Sequence, residues 1–356
     1  MLQKIFLTVL LMLLTPCFLN AQGLYAGIEV GSKGIKISVI DVQNIKKSVY
    51  TVKDFWTENV GIARSISIDG NLGKEEIEKA SNVVWKNYQK LRDEFKVDDS
   101  RIFIVGSSGV AMAKNTQVLA DKIKETTHKN IEFINSKLEA KLLLKGGIPP
   151  KYFTNSLILD IGGGNTKGGY VEEFTEENIV FYPLNLDYGT ITLTEAINKK
   201  TNTGAKYSEY VEANFKHLTT LREGVIKMYN EHPNAHNKTN VYFSGGAVWA
   251  FYTLYFEMGA KDNFNAFTYD DLVNYNFILQ NNFKKFEQLA LTNPEVDKVI
   301  KTYSQKHLIA ANSILLTSLE ELKSFKSKKL FFVKQGQIAW LLAYVADSAK
   351  GARVIF

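Results

Sequence analysis

The 356-residue chain contains one cysteine, Cys17, and only six prolines. A single cysteine cannot form an intramolecular disulfide, and Cys17 lies in a segment expected to be removed, so thiol catalysis is not expected. The scarcity of proline and the lack of low-complexity tracts argue against long disordered linkers. With 45% hydrophobic and 22% charged residues, the composition is typical of a globular protein, and the length suggests two domains.

Clusters of lysine and arginine of the kind that bind nucleic acid are also missing from the sequence. The formal net charge is +6, and a modest positive field favours anionic ligands without selecting one of them. Aromatic residues make up 12% of the chain but are spread through the predicted elements, which does not indicate a base-stacking platform. We therefore expect a small-molecule ligand and no nucleic-acid partner.

Long apolar runs are absent after the first 21 residues. Lys4 precedes the apolar run Ile5 to Leu14, which is short for a bilayer span, and Ala21 is a small residue suited to signal-peptidase cleavage. This predicts a signal peptide over residues 1–21 and an exported protein, periplasmic or secreted, that begins near Gln22. A retained membrane anchor is the alternative, which we do not favour because no second apolar span follows.

The most informative stretch is LILDIGGGNTKGGY, from Leu157 to Tyr170. Its unalternated apolar start predicts a strand buried on both faces, and the glycines predict a tight turn into a second strand. Successive amide groups in such a turn bind anions, and Asp160 at the strand end is suited to hold a hydrated Mg²⁺. A hairpin that needs glycine for geometry alone is the alternative. The predicted phosphate-binding residues are Gly162, Gly163, Gly164, Asn165 and Thr166.

The same pattern of strand, acid, glycine turn and strand occurs earlier, at Leu24 to Val39. Glu29 takes the place of Asp160 in this copy, and the two copies indicate an internal duplication. Two further glycine turns follow predicted strands, although a serine in the first of them would also suit a helix cap. The additional predicted phosphate-binding residues are Gly31, Ser32, Lys33, Gly34, Ser107, Ser108, Gly109, Gly245 and Gly246.

Together these turns resemble the actin, sugar-kinase and heat-shock-chaperone superfamily. The resemblance implies an α/β protein with two ribonuclease H-like (actin-like ATPase) domains and a ligand cleft between them. Gly146-Gly147 and Pro149-Pro150 make the clearest break in the chain. We therefore expect domains over residues 24–147 and 150–356, with the last helix free to pack back on the first domain.

The order of motifs narrows the resemblance to the exopolyphosphatase / guanosine pentaphosphate phosphatase family. The matching pieces are GIEVGSKGIKISV, VGSSGVAMAKN, INSKLEAKLLLKG, LDIGGGNTKGGY, LDYGTITLTEAI and YFSGGAVWAF. The resemblance implies a hydrolase that releases terminal phosphate from polyphosphate or nucleoside polyphosphates. It also implies Glu139 as the water-activating base, and Mg²⁺ held by Glu29 and Asp160. The ecto-nucleotidases (apyrases) are similar in the same pieces and are exported.

Several positions depart from the family's pattern. Glu29 stands where an aspartate is normal, and Lys114 is the nearest cation where the second motif normally carries an arginine. After the glycines the family usually has Ser-Thr-Glu, whereas this chain has Asn165, Thr166 and Lys167. A cation stands where a metal-placing acid is expected. A catalytically silent phosphate- or nucleotide-binding protein on the same fold is therefore the second hypothesis.

An actin-like filament protein is the third hypothesis, which export disfavours, and a homodimer is left open. Residues 262–271 are predicted to form a loop or an insertion. His232 and His236 have the spacing of helical metal ligands, but Pro233 predicts a loop, so no metal is expected there. The remaining periodicity predicts helices over 74–95, 136–145, 207–229, 306–322 and 337–345, and strands over 48–56, 101–105, 131–134, 178–183, 241–243 and 330–333.

Overall fold

The computed structural model describes residues 22–45, 49–174, 179–201 and 207–351. The predicted signal peptide over residues 1–21, with Cys17, lies outside the described residues. Within the described ranges, no helix combines the length and the apolar character that crossing a membrane would need.

The first sheet has five strands in the order β3-β2-β1-β4-β5. β1, β2 and β3 form an antiparallel meander, and β4 and β5 run parallel to β1. The strands are β1 (Gly23–Val30), β2 (Gly34–Asn44), β3 (Val49–Asn59), β4 (Ile102–Gly106) and β5 (Ile131–Phe133), and the helices are α1 (Ile66–Asp69), α2 (Lys74–Asp93), α3 (Ser108–Ala111), α4 (Thr116–Thr127) and α5 (Ser136–Gly147).

The second sheet repeats this arrangement and adds one strand, in the order β10-β11-β9-β6-β7-β8. The antiparallel set β6-β7-β8 matches β1-β2-β3, and the parallel strands β9 and β11 match β4 and β5. This repeated topology agrees with the predicted duplication. The strands are β6 (Ser156–Ile161), β7 (Thr166–Phe174), β8 (Ile179–Leu186), β9 (Asn240–Ser244), β10 (Phe264–Phe267) and β11 (Lys329–Val333).

Helices cover both sheets because successive residues of a strand point to opposite faces, and the central strands β1, β6 and β9 are largely apolar on both faces. In β1, Ala26, Ile28 and Val30 pack under α2 and α4. The helices of the second half are α6 (Thr190–Asn198), α7 (Tyr207–Glu231), α8 (Gly246–Tyr255), α9 (Tyr269–Asn281), α10 (Lys284–Ala290), α11 (Pro294–Thr302), α12 (Gln305–Glu320) and α13 (Gly336–Ala349).

The two sheets are joined by a shared core in which α5 packs against α13. A side chain at Gly27 of β1 would overlap Leu341 and Val345 of α13, so glycine is what allows the last helix to lie on the first sheet. The Lys145 ammonium of α5 donates to both Asp347 oxygens at 2.5 and 2.7 Å. This packing fixes how the two halves meet.

Gly146 and Gly147 do not break the chain as the sequence suggested, because they are the last two residues of α5. A side chain at Gly146 would collide with the backbone of Ala339, so this glycine lets α13 approach α5. The short 3₁₀ helix Pro150–Asn155 then leads into β6. The domain boundary between residues 147 and 150 remains a prediction.

The loop predicted over residues 262–271 is wrong. Phe264–Phe267 forms β10, which pairs antiparallel with β11. Thr268 then caps α9, since its hydroxyl accepts from the Asp271 N–H at 3.2 Å while the Asp271 carboxylate accepts from the Thr268 N–H at 2.7 Å. The segment around His232 and His236 is a 3₁₀ helix, Pro233–Asn237, rather than a loop. There the His236 Nδ1 accepts from the Lys323 N–H at 3.3 Å.

Candidate active site

The two glycine hairpins place an acid and a lysine at the same register. Glu29 at the end of β1 lies directly opposite Lys36 on β2, and Asp160 near the end of β6 lies directly opposite Lys167 on β7. Each acid precedes its lysine by seven residues. In both hairpins four residues separate the last paired positions, Val30 with Ile35 and Ile161 with Thr166, and the acid and lysine are the next pair outward. Both hairpins therefore present one carboxylate and one ammonium group beside a glycine turn.

The turn of the first hairpin is held by its carbonyl groups. The Ser32 carbonyl accepts from the Ala63 N–H at 3.2 Å, and the Lys33 carbonyl accepts from the Val60 N–H at 3.0 Å. In a trans peptide the C=O and N–H groups lie on opposite sides. The N–H groups of Lys33 and Gly34 therefore point away from these anchors, as an anion-binding turn requires.

The second hairpin is held in the same way by the start of α6. The carbonyls of Gly162 and Gly163 accept from the N–H groups of Thr190 and Ile191 at 2.9 and 2.8 Å. The N–H groups that follow these carbonyls in the chain are thus turned to the other side of the hairpin. The two predicted phosphate-binding turns share one construction, although the anchoring segments differ.

Glu139 lies in the first turn of α5, which begins where the Asn135 side chain accepts from the Leu138 N–H at 2.8 Å. The Glu139 side chain is buried. One carboxylate oxygen accepts from the Ser108 N–H at 2.9 Å, and the other accepts a short hydrogen bond from the Lys167 ammonium. Glu139 therefore links the turn after β4 to the second hairpin.

The ion pair between Glu139 and Lys167 sets the protonation state of both groups. Burial works to raise the pKa of Glu139, but the Lys167 charge and the Ser108 donors outweigh burial and hold this pKa below its ordinary value. Burial works to lower the pKa of Lys167, but the charges of Glu139 and Asp160 outweigh it and raise this pKa. At neutral pH the pair is a carboxylate and an ammonium.

Glu29 forms a second ion pair within the first hairpin. The Lys36 ammonium donates to both Glu29 oxygens, at 3.1 and 3.2 Å. Burial nevertheless raises the pKa of Glu29 to about 7; Lys36 opposes this shift and the charge of Glu139 adds to it. A side chain at Gly31 would stand 2.7 Å from Glu29 Oε1, so glycine leaves room for the carboxylate at the turn.

Asp160 is held by the turn that follows β9. It accepts from the Ser244 hydroxyl at 2.9 Å. Gly245 has a φ of +98°, a left-handed conformation that favours glycine. A side chain at Gly245 would stand 2.9 Å from the same Asp160 oxygen. The glycine turn before α8 thus packs directly on this carboxylate.

Lys33 connects the first hairpin to the second half of the molecule. Its ammonium lies 4.4 Å from the ring centroid of Tyr303, and burial lowers the pKa of Lys33. The Tyr303 hydroxyl abuts Gly246 at the start of α8. Burial, with the Asp160 charge adding to it, raises the pKa of Tyr303 to about 12. Lys33 therefore contacts the second half of the molecule beside the start of α8.

A model of the Ppx/GppA phosphatase family matches residues 48–244, which is more than half of the chain. The chain belongs to this family. This confirms the resemblance inferred from the motifs, and the membership agrees with the expectation of a hydrolase.

Relatives of this Ppx/GppA chain are distant. The bifunctional 3-dehydroquinate synthase/phosphatase of Fusobacterium nucleatum subsp. nucleatum is 23% identical over 214 residues, covering 56% of this chain and 31% of that protein. The guanosine-5'-triphosphate,3'-diphosphate pyrophosphatase of Vibrio parahaemolyticus is 26% identical over 191 residues, covering 53% and 36%. The chain thus matches only about a third of the length of these curated relatives.

The solved structures establish the fold. The crystal structure of the Aquifex aeolicus Ppx/GppA family member superimposes with a TM-score of 0.67 at 18% identity, and the match covers 93% of this chain and 99% of that one. Together with the repeated sheet topology, this confirms the predicted two-unit actin-like ATPase fold.

Ppx/GppA enzymes are generally dependent on a divalent metal, but in this chain lysines are paired with two of the acids of the candidate site. Both oxygens of Glu29 are engaged by Lys36, and one oxygen of Glu139 is engaged by Lys167. Among the residues that the structure describes, no three acidic, histidine or cysteine side chains form a group that could hold a metal ion. The Mg²⁺ site predicted from Glu29 and Asp160 thus has no third protein ligand among the described residues, and water and substrate phosphates would have to complete the coordination.

The structure brings some of the predicted site residues into contact with one another. The turn at Ser107–Gly109 reaches the first hairpin, because a side chain at Gly109 would meet the Ser32 hydroxyl. Two residues are engaged differently from the prediction. The Ser108 N–H donates to Glu139, and the buried Thr166 hydroxyl donates to the Tyr188 carbonyl at 2.8 Å. Their assignment to phosphate binding remains a prediction.

Sequence reasoning missed Lys36, Ser244 and Tyr303, and it treated Lys167 only as a departure from the family pattern. A signal for the two lysines exists in the sequence, namely the shared seven-residue spacing from Glu29 and Asp160. Tyr303 has no such signal, because it lies 270 residues after Lys33 and no local pattern in the sequence relates the two.

Proposed function

We propose that this Ppx/GppA family member hydrolyses phosphoanhydrides and releases the terminal phosphate of polyphosphate or of a nucleoside polyphosphate. Family membership supports this reaction class. The observation that carries the proposal is the position of Glu139, a buried carboxylate held between the Ser108 N–H and Lys167. Among the residues that the structure describes, it is the one acid that hydrogen-bonds to both the turn after β4 and the second hairpin.

The proposed reaction uses Glu139 to orient and deprotonate water. A carboxylate has about four lone-pair positions, so the two observed hydrogen bonds leave capacity for a water molecule. The water oxygen forms a bond to the terminal phosphorus while its proton passes to Glu139. The bond from phosphorus to the bridging oxygen breaks, and that oxygen keeps the electron pair and leaves with the shortened chain. Glu139 then returns the proton to solvent.

The hairpin amides and Lys33 would bind the phosphate oxygens during this reaction. The N–H groups of Lys33 and Gly34 in one turn, and of Gly163 and Gly164 in the other, are turned away from their anchoring segments, as described above. Phosphoryl transfer depends mainly on positioning and on charge stabilisation. Two rigid turns on opposite sides of Glu139 would supply both.

The test is phosphate release by the purified protein from polyphosphate, nucleoside triphosphates and nucleoside diphosphates. Glu139→Gln is expected to lower turnover by about 10²- to 10⁴-fold, the usual contribution of a positioned base. Binding should persist because the amide keeps the shape of the carboxylate. Glu125→Gln on the exposed face of α4 is the matched control. Equal turnover of Glu139→Gln and the unchanged protein would refute the role of Glu139.

A second function, phosphate or nucleotide binding without hydrolysis, is favoured by one observation. Lys167 holds the pKa of Glu139 below its ordinary value, and a general base works best when its pKa lies near the operating pH. A protein of this kind would bind polyphosphate or a nucleotide in calorimetry and release no phosphate from either. That outcome would replace the hydrolase proposal.

We also propose that the protein is exported, on the basis of the leader pattern in residues 1–21. The relevant measurement is the N-terminal peptide of the protein recovered from the native cell's exported soluble fraction. A chain starting near Gln22 supports export, whereas recovery of intact residues 1–21 from the membrane fraction would contradict it.

A further inference from the structure

We propose that the Lys167 ammonium takes the place of a divalent cation at this site, so that the chain binds polyphosphate without a metal. The binding half of this inference stands by itself. Its extension to metal-independent hydrolysis rests on the proposed function.

Lys167 is a largely buried cation within the second hairpin. It lies directly opposite Asp160 in the second hairpin, and only 12% of its side chain is exposed. A cation is rarely buried to this extent unless acidic groups compensate it. Here Glu139, Asp160 and Glu29 all exert a favourable charge interaction on Lys167. The ammonium therefore contacts Glu139, lies opposite Asp160 in the hairpin and is stabilised by the charges of all three carboxylates.

The Lys167 ammonium can donate more than one hydrogen bond. It has three donors, of which the structure directs one to Glu139. Lysine is a compact point charge that binds phosphate in other proteins. A lysine that contacts the base on one side thus keeps donors for a phosphate oxygen on the other. It would connect the base and the phosphate, as a bridging metal ion would.

Acidic and basic side chains are mixed around Glu139. The three carboxylates face two ammonium groups of the hairpins, Lys36 and Lys167, and Lys33 lies nearby over Tyr303. An added Mg²⁺ would stand close to these ammonium groups and be repelled by them. With Lys33 counted, the ammonium groups equal the carboxylates in number, so no excess of negative charge remains to hold Mg²⁺ or to repel the phosphate oxygens of polyphosphate. The arrangement therefore suits an anion without a companion metal.

The experiment is calorimetric titration of the full chain with inorganic tripolyphosphate, once in excess EDTA and once in excess Mg²⁺. The unchanged protein is expected to bind in EDTA, with a Kd within about threefold of the Kd in Mg²⁺. A tenfold difference in Kd, which corresponds to about 1.4 kcal/mol, would show that binding needs the metal. Lys167→Met should weaken binding in EDTA by about tenfold or more, as loss of a charged hydrogen bond predicts. Lys216→Met, on the exposed face of α7, is the control.

A reciprocal variant tests the idea in the other direction. Lys167→Glu restores an acid at the position where the family usually has one. Its tripolyphosphate binding should require Mg²⁺, and its melting temperature should rise with Mg²⁺ while that of the unchanged protein does not. Lys167→Met leaves the buried Glu139 carboxylate without its cation, which can prevent folding. The double variant Glu139→Gln/Lys167→Met removes both charges and replaces the single variant in the titration if the single variant does not fold. It too should show at least a tenfold loss of affinity in EDTA.

The outcomes separate this inference from the proposed function. If the unchanged protein binds tripolyphosphate at least tenfold more weakly in EDTA than in Mg²⁺, the inference is wrong, even if the protein hydrolyses phosphoanhydrides. If binding is independent of metal but no phosphate is released, the inference stands and the hydrolase proposal fails. Unchanged affinity of the folded Lys167→Met protein in EDTA also overturns the inference.

Discussion

Replacing Glu29 by glutamine is expected to remove a defined part of the protein's pH-dependent stability. Burial raises the pKa of Glu29 from its ordinary 4.5 to about 7, against the opposing effect of Lys36. Between these two pH values the folded chain keeps a proton that the unfolded chain has already released. Stability contributed by this group is therefore present below pH 4.5 and is lost as the pH rises to about 7.

The magnitude follows from the size of the shift. Each unit of pKa difference corresponds to about 1.4 kcal/mol, so a shift from 4.5 to about 7 amounts to about 3 kcal/mol. Glu29 is only 2% exposed, so solvent does not screen the effect greatly. Relative to Glu29→Gln, the unchanged protein should thus lose about 3 kcal/mol of unfolding free energy between pH 4.5 and pH 8.

The assay is urea denaturation of both proteins at several pH values, followed by circular dichroism. Subtracting the two curves cancels the titration of all other groups. Glu125→Gln is the control, because its side chain is exposed and should give parallel curves. A second variant, Lys36→Met, removes the opposing charge and should widen the pH window upward. Parallel curves for Glu29→Gln and the unchanged protein would refute the reasoning.

Three further predictions concern individual contacts that hold the helices and hairpins in place. Gly146→Val places a side chain against the backbone of α13 and should cost about 1–3 kcal/mol of stability in urea denaturation; an unchanged midpoint would contradict this packing. Lys33→Met removes the cation over Tyr303 and should weaken tripolyphosphate binding about tenfold in calorimetry; an unchanged affinity would mean that Lys33 packs against Tyr303 without binding phosphate. Thr166→Val removes the donor to the Tyr188 carbonyl and should cost about 1–3 kcal/mol of unfolding free energy in urea denaturation; an unchanged midpoint would show that this hydrogen bond does not hold the second hairpin.

The parts of the fold that the sequence predicted are those with strong local signals. The hairpin at Leu157–Tyr170 was recognisable because a buried strand and its glycine turn are adjacent in the chain, and the second copy made a duplicated fold the natural interpretation. The parts that were missed depend on distant partners. β10 has only four residues, and it becomes a strand because it pairs with β11, more than sixty residues later. Propensity within such a short segment carries too little information.

The candidate site shows the same division. Glu139 was identified from the order of motifs, since the start of α5 follows β5 directly. Its contact with Lys167 joins helix α5 of the first half to strand β7 of the second sheet, and no local pattern predicts a contact of that kind. Gly146 shows what a local signal leaves out. Glycine at the end of a helix often terminates it, and α5 does end at Gly147, but the lack of a side chain at Gly146 also serves the contact with α13.

One methylene group distinguishes the two halves of the duplicated site. Both hairpins place an acid opposite a lysine, but Glu29 is long enough to receive Lys36 on both oxygens. The shorter Asp160 instead accepts from Ser244. Lys167 is thereby left to reach Glu139. The longer acid in the first hairpin therefore yields a closed ion pair, whereas the shorter acid in the second leaves its lysine available to the proposed base and to a phosphate.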